Sequence, residues 1–365
     1  MTDVVDLKTA INQGDFESIN HYIVQWIAGK LSPRSRDSRA TRSAFSVWLA
    51  ALFAALVLLG IVGNKLLGTP HVDEQILSIF VLGVIYIYAL CVVIEYQIEN
   101  FLKMIRDHLL DALVDEQDRQ GLRESMKTIF SVRRQFWFGL LFSLFVHAAF
   151  IALDPNLAVK FGLGFLTVNV IFHAFHGFCV YFYVAYLNWA VSDLKNYQYD
   201  LFELDPSSTA IIPKLATLLQ STISLMTLMV ASATLIFSST RVLPFAAVVG
   251  MIVVMWINTI TLYLINRHIL QSIILRAKWE KLRKIQAQIR ELEGKDRIPT
   301  KETLEHIIQL KEYHDKIKST PDSPWSFARF IGTMNTLIWP TLGVIASNIE
   351  GFLDMITRVS KARLP

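Results

Sequence analysis

His147, His173 and His176 are the side chains best suited to chemistry in this chain, because all three sit inside long apolar runs. Neutral imidazoles ligate transition metals, and two of them on facing helices can hold a b-type haem. His173 and His176 are spaced i and i+3, so they share a helix face. With 135–153 and part of 161–192 read as antiparallel helices, His147 and His173 fall within roughly 6 Å of each other in depth. Three roles fit such residues: a metal or haem site, the lining of a pore or ligand cavity, and hydrogen bonds between apolar helices. The last is the common fate of polar side chains there.

A second group consists of uncharged hydroxyl and amide residues towards the C-terminus. Thr217, Ser221, Ser224 and Thr227 fall near one face of the run 215–240. Trp256, Asn258, Thr259 and Thr261 follow in the next run, and Thr333, Asn335, Thr336 and Thr341 surround the pair Trp339-Pro340 in the last. Hydroxyls can replace part of an ion's hydration without a fixed charge. They also let helices pack closely and hydrogen-bond. Proline within a helix removes a donor and favours a kink, and Asn335 and Thr336 lie one turn before it. A polar, kinked final helix is therefore a pore candidate.

Several chemistries are disfavoured. No Asp, Glu, Lys or Arg lies well inside an apolar run, and Glu95, at the end of one, comes nearest. Ion- or proton-coupled transporters usually keep a carboxylate there, although sodium sites can be built from carbonyls and hydroxyls. No phosphate-binding, dinucleotide, zinc-protease or nucleophile-elbow motif is present. Cys91 and Cys179 both lie in apolar runs without a C-x-x-C, so neither a disulfide nor a cysteine metal site is expected. Asp111, Asp115, Glu116 and Asp118 are followed by Arg119, Arg123 and Lys127 at helical spacing, which reads as a solvated charged face. No cofactor is expected, and an enzyme is the less favoured class.

The elements that must position these residues are membrane helices. Of the 365 residues 53% are hydrophobic and only 18% charged, against about 25% in soluble domains. Seven stretches are long and apolar enough to cross a bilayer: 43–64, 75–94, 135–153, one within 161–192, one within 215–240, one within 242–266, and 330–349. About 20 apolar helical residues span the hydrocarbon, and the absence of period-2 alternation rules against a barrel. Short connections at 65–74, 154–160 and around Arg241 and Pro244 make three helical hairpins. The last stretch, broken by Trp339-Pro340, is expected to span, with a re-entrant helix as the alternative. The fold class is thus all-α, a polytopic membrane protein of six to seven transmembrane helices.

Lysine and arginine place the ends. Residues 1–42 hold six, 95–134 seven, 193–214 two and 267–329 fourteen, whereas the three hairpin loops hold one each, Lys65, Lys160 and Arg241. Basic loops stay cytoplasmic, so the N-terminus is expected inside a plasma or inner membrane. The net charge of +4 is an orientation signal of this kind and not a nucleic-acid footprint. The acidic N-terminus has no apolar h-region, so no cleavable signal is expected. Residues 15–31 read as an amphipathic helix, either lying in the cytoplasmic interface with Trp26 at headgroup depth or packed on the protein's own cytoplasmic domain.

The domains expected are a cytoplasmic segment 1–42, a six-helix domain 43–266 with a helical insertion at 95–134, a cytoplasmic hairpin 267–320, and a C-terminal membrane helix and tail 321–365. In the hairpin Leu275, Leu282, Ile285, Ile289 and Leu292 follow a/d spacing broken by Lys278. Gly294 and Pro299 end that helix and Thr300 caps the next. Each arm has fewer than about three heptads, too few for a free-standing coiled coil.

By topology this plan resembles the insect chemoreceptor channels, tetramers whose last helix lines the pore. The Thr-Tyr…Gln-Phe pattern of the gustatory receptors is missing, and the 275–318 hairpin is an addition. The leading expectation is a homo-oligomeric channel for ions or small molecules, with late helices lining a weakly polar pore. The alternatives are a carrier with a cavity near the three histidines, a haem- or metal-bearing membrane enzyme, and a membrane anchor whose hairpin recruits a partner.

Overall fold

The structure, a computed structural model, describes residues 2–13, 15–31, 44–67, 74–153, 157–239, 245–295 and 300–324, and in the C-terminal stretch Gly332, Asn335, Ile338, 341–343 and Ala346. The described residues are almost all helical and contain no strand. The helices are α1 (Thr2–Gln13), α2 (Ile19–Leu31), α3 (Phe45–Leu66), α4 (Glu74–Met104), α5 (Glu116–Ile129), α6 (Val132–Leu153), α7 (Leu157–Trp189), α8 (Ile211–Ser239), α9 (Phe245–Lys295) and α10 (Lys301–Ser319). The described C-terminal residues also have helical backbone.

Five helices are long and apolar enough to cross a membrane, within Phe45–Leu66, Phe80–Ala112, Gly162–Leu194, Ile211–Leu228 and Ile252–Gly294. These match five of the seven expected stretches. The stretch expected at 135–153 forms α6, which meets that test only together with α5, the two being bent by 43°. Arg133 and Arg134 in the first turn of α6 shorten its apolar length. Thr336, Trp339, Pro340 and most of the seventh stretch lie outside the described residues, as do the turns between the hairpin helices.

α4 runs on past its apolar part, through a π-helical turn Ile105–Leu109 and Leu110–Ala112, as the pattern of apolar residues after Glu95 predicts. α9 is one continuous helix of 51 residues, about 77 Å long. α10 folds back along its distal half, burying Leu282, Ile285, Ile289, Ile307 and Ile317 together. Lys278, the break in the a/d pattern, is 4% exposed. Its ammonium donates to the Thr320 carbonyl at 2.8 Å and pairs with Asp322 at 2.7 Å, so it anchors the far end of α10. Thr300 accepts from the Thr303 amide at the near end, the N-cap expected from sequence.

α7 lies at the centre of the bundle, where Phe172, Phe175 and Phe178 pack among buried residues of the core. Two close approaches fix its neighbours. A Cβ on Gly177 would stand 2.7 Å from the Gly139 Cα of α6, so those backbones touch directly. At the start of α7, Gly162 has φ 72, a value that glycine adopts without a steric penalty. The helix restarts there, and the side-chain oxygen of Asn64 accepts from the amides of Gly164 at 2.8 Å and Phe165 at 3.3 Å. A residue of α3 thereby caps the restarted helix, whose first amides have no intrahelical partner.

Candidate functional site

The two helices carrying the histidines do bring them together. The rings of His147 and His173 are 5.0 Å apart and nearly perpendicular, and His176 is 6.4 Å beyond His173. His147 is 6% exposed. Its Nδ1 is 2.7 Å from the Ser143 carbonyl, and its Nε2 is 3.2 Å from the Asn169 amide nitrogen. With the proton on Nδ1, both contacts are good hydrogen bonds: the ring donates to Ser143 and accepts from Asn169. His173 continues the chain by donating from Nδ1 to the Asn169 carbonyl at 3.0 Å. His176 rests edge-on against Phe142 and Tyr86. Among the described residues no group of three or more His, Cys, Asp or Glu is placed to hold a metal ion. The arrangement is a hydrogen-bonded seam between α6 and α7.

The hydroxyl residues of the later helices also join helices. Thr227 and Thr259 are fully buried and share a hydrogen bond of 2.9 Å between α8 and α9. Asn266 donates to the Leu219 carbonyl at 3.2 Å. Ser221 donates to the Leu218 carbonyl at 2.8 Å, and its hydroxyl is 3.3 Å from the Gln97 side-chain oxygen. Ser224 and Asn258 are half-buried. The indole of Trp256 donates to the Thr341 hydroxyl at 3.0 Å, which ties the C-terminal helical segment to α9.

Asn335 is different, because its side chain is exposed. Ile338 and Leu342 are 40% and 50% exposed, and Ala346 is exposed as well. Among the described C-terminal residues these four, an amide among aliphatic side chains, are thus exposed, whereas Thr341 meets α9.

A second group of ionisable side chains, Glu17, His21 and Glu95, meets at the inner side of α2. α2 lies against α3, α4, α6 and α7; Ser18 just before it, and Asn20 and His21 in its first turn, are buried, at 4%, 1% and 2% exposed. The Ser18 hydroxyl donates to the Glu95 carboxylate. The two imidazole nitrogens of His21 face Glu17 at 3.6 Å and Glu95 at 4.0 Å, and its ring stacks on Phe45 at 5.6 Å. The Ile19 amide donates to Gln135 at 2.8 Å, and Asn20 reaches the Cys179 sulfur at 3.5 Å. Beside this group is a cavity of about 250 Å³ lined by Glu17, His21, Phe45, Glu95, Tyr96 and Glu99, among others. The period of 15–31 marks an amphipathic helix but not the partners of its polar side chains, so sequence does not single out Glu17 and His21. Glu95 did stand out, as the carboxylate nearest an apolar run.

Cys91 and Cys179 are free, buried thiols with sulfurs 3.6 Å apart. Away from the apolar helices, the segment after α7 closes on α5: Gln198 donates from its amide to Asp118 at 2.6 Å, and Ser125 donates to Asp193 at 2.7 Å. Burial there pushes the Tyr197 phenol up to about 12, so its oxygen accepts from the Trp189 indole as a neutral group.

No protein-family model, no curated protein and no solved structure matches this chain. The class that fold and composition define is an all-helical protein with at least five helices fit to cross a membrane among the described residues.

Proposed function

We propose that this protein is a multi-pass membrane protein, N-terminus inside, which assembles as a homo-oligomer and conducts ions or small solutes through a weakly polar path at the subunit axis. The exposure of Asn335, Ile338, Leu342 and Ala346 carries this reading. An amide facing hydrocarbon lacks hydrogen-bond partners, so Asn335 belongs at water or at a neighbouring subunit. Thr227, Thr259 and Asn266 are engaged between α8 and α9 inside the protomer, which favours a conduction path at the axis. The α9–α10 hairpin then lies on the cytoplasmic side, where it can assist assembly.

The test is particle symmetry of the purified protein by electron microscopy, together with conductance in planar bilayers. A ring with the last helix at its axis, and conductance altered by Asn335→Leu with the ring intact, are expected. A monomeric, non-conducting protein sinks the idea. A carrier is the second reading, favoured by the cavity beside Glu95. A monomer or two-fold dimer with substrate uptake lost in Glu95→Gln points to it.

A further inference from the structure

The outer side of α2 is aromatic: Tyr22 and Trp26 are 55% and 61% exposed, while the buried side sets Asn20 and His21 among Ile19, Val24 and Ala28. Tyr22, Trp26 and the exposed Lys30 are spaced i, i+4 and i+8, so they form one ridge. The hydrogen bond from the Ile19 amide to Gln135 ties the first turn of α2 to the first turn of α6. There Phe136 and Trp137 are 47% and 53% exposed, and Arg133 and Arg134 just before them are exposed. Aromatic rings next to cations, at the end of an apolar helix, match the composition of a membrane–water boundary.

We propose that the outer face of α2 rests in the headgroup layer of the inner leaflet, with Tyr22 and Trp26 at the acyl boundary and Lys30, Arg133 and Arg134 on anionic lipid phosphates. Indole and phenol suit that depth, having an apolar body and a polar tip. The three cations complement anionic headgroups, each contributing about fivefold to affinity for such lipids. α2 is then held from both sides, by the Glu95 group within and by lipid without. This inference rests on the membrane reading of the chain but not on the pore.

The test uses the full-length protein in nanodiscs, with co-purification with the disc lipids reporting insertion of the bundle independently. The fluorescence of Trp26 is obtained by subtracting the spectrum of Trp26→Phe from that of the wild type. Lipids brominated near the carbonyl end of the acyl chain are expected to quench roughly half of that component or more, and lipids brominated at the chain end much less, given insertion to only 5–10 Å. A water-like component that neither lipid quenches overturns the proposal. So does a blue-shifted one that neither quenches, since protein then covers Trp26. For the charges, retention of phosphatidylglycerol over phosphatidylcholine is compared between wild type and Lys30→Gln/Arg133→Gln/Arg134→Gln. A preference lowered roughly tenfold or more is expected, and equal retention by the two proteins overturns the anionic-lipid assignment.

Discussion

The His21 imidazole and the Glu95 carboxylate face each other at 4.0 Å, one from the N-terminal helix and the other from the end of an apolar helix, with both side chains largely buried. Glu17 stands on the other ring nitrogen at 3.6 Å. This group joins α2 to the bundle through side chains that would otherwise seek water.

Removing Glu95 should therefore loosen α2. Glu95→Leu leaves the Ser18 hydroxyl without its acceptor and His21 facing Glu17 alone, and a loss of about 2 kcal/mol is expected. Glu95→Gln keeps an acceptor for Ser18 and is expected to lose about 1 kcal/mol. Amide hydrogen exchange across 19–31 and thermal unfolding in detergent report on this. Wild-type exchange rates in the Leu variant would show that the contact does not hold the helix.

The contact between α6 and α7 depends on having no side chain at 177. Gly177→Ala places a Cβ 2.7 Å from backbone, so the helices must move apart, at about 1–3 kcal/mol. Gly83→Ala is the control, since nothing lies within 4 Å of its Cβ, and it is expected to change stability by no more than about 0.5 kcal/mol. Equal melting temperatures for the two variants would mean that the close approach is absent in solution.

Asn64 serves as a cap supplied by another helix. Asn64→Ala deprives Gly164 and Phe165 of their acceptor and is expected to lower stability by about 1–2 kcal/mol. The local readout is faster exchange of the amides at 164 and 165, with those at the far end of α7 unchanged. Uniform change along α7, or none, argues against the capping role.

Lys278 distinguishes packing from charge. Asp322 is half exposed and can rehydrate, so Lys278→Met, which keeps the apolar stem, is expected to cost under about 1 kcal/mol. Lys278→Ala also leaves space between α9 and α10 and is expected to cost about 2 kcal/mol. Limited proteolysis around 320–324 measures both. Equal sensitivity of the two variants contradicts this division.

Much of the fold was legible in composition and period. Uncharged apolar runs announced five of the long helices, the a/d residues of α9 and the Thr300 cap announced the hairpin, and apolar spacing after Glu95 announced the extension of α4. α1 was missed, because Leu7 and Ile11, buried at 1% and 6%, are too few to show a period in twelve residues. Of the candidate residues, counting rise along two helices puts His147 and His173 within roughly 6 Å of each other in depth, and their rings are 5.0 Å apart.

The sequence by itself determined which segments shun water, because transfer of apolar surface is a property of each residue and sums along the chain. It also determined some helix ends, such as the start of α10 at Thr300, since such caps act within a turn. The tertiary structure alone decided which way each helix is rotated and which end of one meets which side of another. That choice depends on contacts between residues far apart in sequence: Gly139 with Gly177, Asn64 with Gly164, His21 with Glu95. It buried Asn20 and His21 of the N-terminal helix, joined His147 to Asn169 across α6 and α7, and left Asn335 exposed.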